Sequence, residues 1–302
     1  MSWQNRVVSA IIRHRIKPLS LGEPDIDRIN AAFALWRWKP RLARGWRIRA
    51  ADAPPLLGEW IEPETEAEAR AARRTLLYLH GGAYALCSPQ SHRPITFALA
   101  SRAPARLFAL DYRLAPRHRF PAAVEDAVAA YRALLADGTA AARVMLAGDS
   151  AGGGLALATL LAAKAEGLPM PAGAVLFSPW TDLAATGGTL VSNHDSDVMF
   201  HAEGVPRAAR NYLGDASPTD PLASPLYGDL SGLPPLLIQV SDSEALLDDS
   251  TRIAIKARTA GVAVELTIWH RLPHVWQYMT PFLPEARQAL DEATAFIRGR
   301  MP

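Results

Sequence analysis

The sequence has a single cysteine, Cys87, so no disulfide can form within the chain and no multi-cysteine zinc module is present. It has no apolar run near the roughly 20 residues that a membrane-spanning helix needs, so no stable membrane insertion is expected. It lacks a dominant charge: 32 basic against 30 acidic residues leave a net +2. That near-balance gives no support for a nucleic-acid partner, because such proteins concentrate basic residues on one face. There is no G-x-G-x-x-G, no phosphate loop closed by a lysine, no H-E-x-x-H and no internal repeat.

What is present is ordinary globular composition: 302 residues, 49% apolar and 21% charged, which argues against wholesale disorder. The length suits two domains, or one α/β unit with insertions. It is enough to bury roughly 75% of the unfolded surface without a staple.

Arg6, Arg13, Arg15 and Lys17 surround the short apolar run Val7–Ile12. A secretory signal puts its charges first and follows them with a longer apolar core; here most charges come after the run, and a cytoplasmic protein is expected. Val7, Val8, Ile11 and Ile12 share one face of a helix. The plain reading is an amphipathic helix packed on the body, and the sharper alternative is a helix lying on a membrane surface.

Short apolar runs at 76–79, 107–110, 144–147, 174–177, 236–240 and 264–269 read as strands. Helical patterns over 121–135, 151–165, 248–260 and 285–297 lie between or after them. This alternation argues an α/β fold, with a mostly parallel central sheet and helices on both faces. Residues 46–49 and 59–62 read as added edge strands, and 62–74 as a charged, solvated loop. Two regions break the alternation: residues 1–44, and 181–220, which is rich in Gly, Asp and Asn. An insertion that long inside an α/β domain is usually functional. The expected division is a cap from 1–44 and 181–220 over a body of 45–180 and 221–302.

Gly148-Asp149-Ser150-Ala151-Gly152 matches G-x-S-x-G between an apolar strand and an Ala/Leu-rich helix, the context that motif requires. Such a turn lifts a serine hydroxyl above the sheet and aims the helix N-terminus at a developing oxyanion. Upstream, His80-Gly81-Gly82-Ala83-Tyr84 follows a strand. Its small residues let main-chain N–H groups approach a ligand, so Gly82, Ala83 and Ala151 are the candidate oxyanion donors. His80 is expected to hold the loop in place rather than act as a base.

A serine nucleophile needs a base, and the base needs an orienting carboxylate. His274 lies several residues past the strand 264–269, far enough to fold back over the sheet edge, whereas His270 caps that strand directly. Their i, i+4 spacing suggests no metal site, because Pro273 stands between them. After the strand 236–240, Asp242, Glu244, Asp248 and Asp249 compete as the acid. The last two fit a helix start, where carboxylates cap free N–H groups, which leaves Asp242 and Glu244 open.

Taken together, H-G-G-A-Y at 80–84, D-Y-R-L-A-P at 111–116, G-D-S-A-G-G at 148–153, S-P-W-T-D-L at 178–183 and L-P-H-V-W at 272–276 give the chain its family likeness. Over about residues 75–280 it resembles the bacterial hormone-sensitive-lipase family of α/β-hydrolase carboxylesterases. The resemblance implies an acid-x-L-x-D-D pattern, which Glu244-Ala245-Leu246-Leu247-Asp248-Asp249 fits; this points to Glu244, with Asp242 as the alternative. It also implies a helical cap and a homodimer built on the sheet edge near the last strands. Two departures stand out. Ala83 replaces the usual third glycine of the oxyanion loop, and Arg117 replaces an acidic residue after D-Y-R-L-A-P.

The function implied is hydrolysis of a small-molecule carboxylic ester of short to medium chain length through a serine acyl-enzyme. Ser150, His274 and Glu244 act together and no cofactor is needed. Tyr84, Trp180, Trp276, Trp36 and Trp38 are candidates for an apolar pocket wall. The alternative is the same triad acting on an amide, a lactone or an acetylated small molecule. A non-catalytic receptor would not need all three triad residues.

Overall fold

In the computed structural model the described residues are 2–21, 29, 42 and 44–301. Eight strands form one sheet: β1 (Trp46–Ala53), β2 (Leu56–Pro63), β3 (Thr75–Leu79), β4 (Arg106–Leu110), β5 (Val144–Asp149), β6 (Gly173–Phe177), β7 (Leu236–Ser241) and β8 (Val264–Trp269). Their spatial order is β1-β2-β4-β3-β5-β6-β7-β8. β1 with β2 and β2 with β4 are antiparallel; every pairing from β4 to β8 is parallel.

The helices among the described residues are α1 (Trp3–Arg15), α2 (Glu66–Ala71), α3 (Arg93–Arg102), α4 (Ala122–Ala136), α5 (Ala151–Ala165), α6 (Thr189–Ser192), α7 (Gly204–Leu213), α8 (Leu247–Thr259) and α9 (Pro284–Arg300). Alternation along the strands sorts the core into two layers. Leu77, Leu79, Leu146 and Ile238 pack with α4, α5 and α8 on one face. Leu76, Tyr78, Met145 and Leu237 pack with α3 and α9 on the other. Burial on both faces is why β3 to β7 read as unbroken apolar runs rather than alternating ones.

Two expectations need correction, and helix α3 was not among the expected elements. β2 is not an edge strand; it lies between β1 and β4, and β1 is the edge. Residues 62–74 are not all solvated loop. Glu62 is buried at the end of β2 and pairs with Arg47 and Arg49, each at 2.9 Å, and α2 follows with Thr65 as its N-cap. Helix α3 had no clear pattern, because Pro94, Ile95, Thr96, Ala98, Leu99 and Ala100 are all buried and leave no polar stripe to mark a 3.6-residue period.

The two irregular regions touch each other. Lys17 Nζ donates to the His194 and Asp197 carbonyls at 2.6 and 2.7 Å, and the His201 N–H donates to Ser20 Oγ at 2.9 Å. α1 is capped by Ser2 Oγ, which accepts from the Asn5 N–H. Glu285 at the start of α9 in turn accepts from the Ser2 N–H and hydroxyl.

Sheet and helix approach most closely at the β5–α5 turn. A Cβ on Gly152 would overlap the backbone carbonyl oxygens of Leu79 and His80, and one on Gly148 would overlap the carbonyl of Gly152. Backbone on both sides cannot yield as a flexible side chain would. Gly152→Ala is therefore expected to lower the unfolding free energy by about 3 kcal/mol, the upper end of ordinary overpacking costs. Gly299→Ala, on a helix with open space around it, is expected to raise it by about 0.5 kcal/mol. Urea denaturation of the two variants checks the contrast.

Candidate active site

The carboxyl ends of β3, β5, β6, β7 and β8 meet at one edge of the sheet, where open α/β sheets bind ligands. Ser150 stands between β5 and α5 with φ 53° and ψ −122°. It is held there by its own N–H, which donates to the Phe177 carbonyl at 2.8 Å, and by its carbonyl, which accepts from the Trp180 N–H at 2.9 Å. Ala151 opens α5, so its N–H precedes the helical hydrogen-bond ladder.

The loop after β3 is strained: Gly82, Ala83 and Tyr84 have φ of 116°, 54° and 60°. Left-handed backbone costs an alanine about 1 kcal/mol, and the loop is braced to sustain it. Asp149, the residue before Ser150, accepts from the Tyr78 hydroxyl at 2.5 Å and the Gly81 N–H at 3.0 Å, and pairs with His92 Nε2 at 3.2 Å. Burial alone would raise the Asp149 pKa, but His92 and the Tyr78 hydroxyl hold it below the ordinary carboxylate value. His80 behaves as expected of a brace. Its Nδ1 meets the Gly81 carbonyl at 2.7 Å, its ring stacks on Tyr112 at 4.4 Å, and burial with the neighbouring His92 pushes its pKa down to about 3.

The two histidine–carboxylate options separate in space. Asp242 lies at the surface, where it accepts from the Arg271 N–H at 2.8 Å and pairs with His270 at 2.6 Å. Glu244 is buried and pairs with His274 Nδ1 through Oε2 at 2.6 Å; its Oε1 accepts from the Ser241 N–H at 2.7 Å and the Ser178 hydroxyl at 2.9 Å. Burial pushes the Glu244 pKa up, opposed by His274. For His274, burial works downward, but the Glu244 charge and hydrogen bond outweigh it and the imidazole pKa is raised. The other ring nitrogen, Nε2, is buried with no hydrogen-bond partner.

Asp248 and Asp249 do not cap their own helix. Asp249 accepts from the Thr181 and Asp182 N–H groups at 2.7 and 2.8 Å, and Asp248 accepts from the Thr189 N–H at 3.1 Å. They face outward from the first turn of α8 and tie down the start of the 181–220 insertion.

Ser150 and His274 line a common cavity of about 230 Å³, with Gly82 and Ala83 at the same wall. Ile12, Ile16, Leu19 and Ile29 come from the amino-terminal region, and Met199, Phe200 and Val205 from the insertion. Trp180 lines the cavity. Tyr84 and Trp276 do not. Tyr84 stacks on Tyr212 at 3.8 Å inside the core, and Trp276 is buried against Ile12, Leu272 and Met279. Trp36 and Trp38 lie outside the described residues. Among the described residues no cluster of His, Cys, Asp or Glu is arranged to hold a metal.

Sequence reasoning missed Ser178, Asp197 and Phe200. Ser178 Oγ also accepts from the Val275 N–H at 3.3 Å, so one hydroxyl joins the acid to the histidine loop. Asp197 accepts from the Met199, Phe200 and Ala245 N–H groups, and the Phe200 ring packs edge-on against His274 at 4.8 Å. Ser178 stood in a recognisable motif; Asp197 and Phe200 had no local signal.

The α/β-hydrolase-fold family profile matches residues 76–278. An acetyl-hydrolase of Streptomyces hygroscopicus is 50% identical over 240 residues, 80% of this chain and 79% of that protein. An esterase of Acinetobacter venetianus is 38% identical over 251 residues, 83% of this chain and 81% of that one. A crystal structure of an esterase from the bacterial hormone-sensitive-lipase family superposes with a TM-score of 0.92 at 40% identity, covering 100% of this chain and 99% of that one. The fold is that of an α/β-hydrolase esterase. The chain belongs to the hormone-sensitive-lipase family, and it is a carboxylic ester hydrolase.

Burial raises the Asp249 carboxyl to about 7, against about 3.9 for an unfolded aspartate. Between those values the folded chain binds more protons than the unfolded one. Stability should therefore fall as pH rises from about 4 to about 7, at no more than about 1.4 kcal/mol per pH unit from this group. Asp249→Asn removes the titrating proton and should flatten that slope in urea denaturation at about pH 5 and about pH 7. An unchanged slope would refute the assignment.

Proposed function

We propose that Ser150, His274 and Glu244 form a catalytic triad that hydrolyses short- to medium-chain carboxylic esters through an acyl-enzyme. The observation that carries the proposal is His274 itself. It is buried with Nδ1 held at 2.6 Å by the Glu244 carboxylate, while unpartnered Nε2 belongs to a ring lining the same cavity as Ser150. A base oriented on one side and free on the other fits proton transfer with a nearby hydroxyl.

In the proposed sequence His274 Nε2 takes the Ser150 hydroxyl proton as Oγ adds to the ester carbonyl. The carbonyl oxygen becomes an oxyanion and accepts hydrogen bonds from the Gly82, Ala83 and Ala151 N–H groups. Glu244 stabilises the imidazolium. His274 then gives its proton to the departing alkoxide and the C–O bond breaks, leaving an acyl-serine and a free alcohol. Water repeats the sequence, with His274 again as base, and releases the acid. Each oxyanion donor in such a hole contributes about 2.7–4 kcal/mol to the transition state.

Residues 1–44 and 181–220 serve as the cap, and 45–180 with 221–302 as the body. The contacts of Lys17 and Ser20 with the insertion support that division. The apolar cavity of about 230 Å³ falls below the roughly 300–1,000 Å³ of drug-sized sites, which favours modest acyl chains. The protein is proposed to act in the cytoplasm. β8, with half-exposed Ile268 on the free sheet edge, is the proposed contact of a homodimer.

Turnover of p-nitrophenyl esters from acetate to palmitate should peak at short to medium chains and vanish in Ser150→Ala with the fold intact. Activity near wild type in that variant would remove Ser150 from the mechanism. Glu244→Gln should reduce kcat by about 10⁴, the scale seen when an orienting triad carboxylate is lost, while Asp242→Asn changes it little. The base must be neutral to act, so kcat/KM should rise with pH around the His274 pKa, at a midpoint above the ordinary histidine value of about 6.5. Glu244→Gln removes the charge that raises that pKa and should move the midpoint down.

A further inference from the structure

Helix α1 carries two apolar faces, and the fold uses one of them. Ile12 is buried, with Val8 and Ile16 packed around the same cluster as Trp276 and Met279, and Ile12 and Ile16 also line the cavity. On the opposite side Trp3, Val7 and Ile11 recur at i, i+4 and i+8 and are 70%, 49% and 40% exposed. Such spacing makes one continuous stripe along the helix. Arg6 and Arg13 border this stripe on one side and Arg15 on the other, all three exposed. Residues 1–21 contain no Asp or Glu at all. The helix is pinned to the body at its start by Ser2 on Glu285, and just beyond its end by Lys17 on the insertion.

We propose that this outer face of α1 is a docking surface for an anionic lipid membrane. An apolar stripe flanked by cations is what a helix lying in the plane of a lipid headgroup layer requires: the stripe enters the acyl boundary and the arginines meet the lipid charges. Charge complementarity favours this occupant over a second copy of the chain. Two-fold pairing of the face with itself would set Arg6, Arg13 and Arg15 against their own images with no acid on α1 to neutralise them. α1 has 13 residues and spans about 20 Å, a length suited to lying on a bilayer. No described helix is long and apolar enough to cross one.

Docking would place lipid on one side of a helix whose other side walls the cavity, so esters dissolved in the membrane would lie within about one helix diameter of it. That consequence for substrate rests on the function proposed above; the docking itself does not.

The test is sedimentation of the full chain with vesicles of phosphatidylcholine alone or with roughly one-third phosphatidylglycerol. Pelleting is expected only with the anionic vesicles, and it should weaken as salt is raised, because screening shortens the reach of the arginines. Each cation near an anionic surface contributes roughly fivefold in partitioning, so Arg6→Gln with Arg13→Gln should weaken binding by about tenfold or more. Val7→Glu with Ile11→Glu should abolish it. Thermal unfolding of each variant confirms that the fold persists, independently of any ester turnover. The proposal is overturned if the wild type fails to pellet with anionic vesicles at low salt, or if the arginine variant pellets as well as wild type. It is also overturned if sedimentation velocity shows a wild-type dimer that Val7→Glu with Ile11→Glu turns into monomer, which would assign the face to a second copy.

Discussion

A carboxylate taken out of water must be given partners or it destabilises the fold by several kcal/mol, and the arrangement around Ser150 turns on satisfying Glu244. Its partners come from three separate strand ends. Ser178 follows β6, Ser241 closes β7, and His274 lies in the loop after β8. Because these strands are parallel neighbours, their ends fall at one level of the sheet. One side chain thereby fixes the relative position of three loops, and the histidine cannot shift without stranding the acid. Asn193 from the insertion adds a second hold, donating to the Asp242 and Glu244 carbonyls at 2.9 and 2.8 Å.

Much of this was legible in the residues, for reasons that can be stated. Parallel strands buried on both faces show as apolar runs, and the elbow shows because Gly148 and Gly152 admit no side chain. The choice between Asp242 and Glu244 was not legible from spacing. Both follow the same strand, and only the turn after Ser241, which sends one side chain outward to His270 and the other inward to His274, separates them. The aromatics were a different problem. Tyr84 and Trp276 sit near the catalytic motifs in sequence, yet large rings also fill cores well, and adjacency says nothing about which way a ring points. Asp197 was invisible for the opposite reason: its contacts with the Met199 and Phe200 N–H groups form an ordinary local turn, and the contact that ties it to the site, with the Ala245 N–H 48 residues on, leaves no short pattern.

Asp149 plays for the loop after β3 the part that Glu244 plays for His274. It gathers Tyr78, Gly81 and His92 around one buried carboxylate directly behind Ser150. The Gly82–Tyr84 turn is therefore tied, through the Gly81 N–H, to the residue that precedes Ser150, so in the proposed mechanism one carboxylate positions both the oxyanion donors and the Ser150 hydroxyl. Preorganisation of this kind is what lets backbone dipoles act without reorganising during the reaction.

The amino-terminal segment supplies cavity wall but no chemistry: Ile12, Ile16 and Leu19 line the space, while every proposed catalytic group lies beyond residue 80. It is secured at several points: Ser2 on Glu285, Ile12 against Trp276 and Met279, and Lys17, a buried lysine whose ammonium donates to the backbone carbonyls of His194 and Asp197. The segment thus shapes one wall of the cavity, while Trp180, Met199, Phe200 and Val205 help to shape the rest, so the dimensions of the space are set jointly by chain segments that lie far apart in sequence.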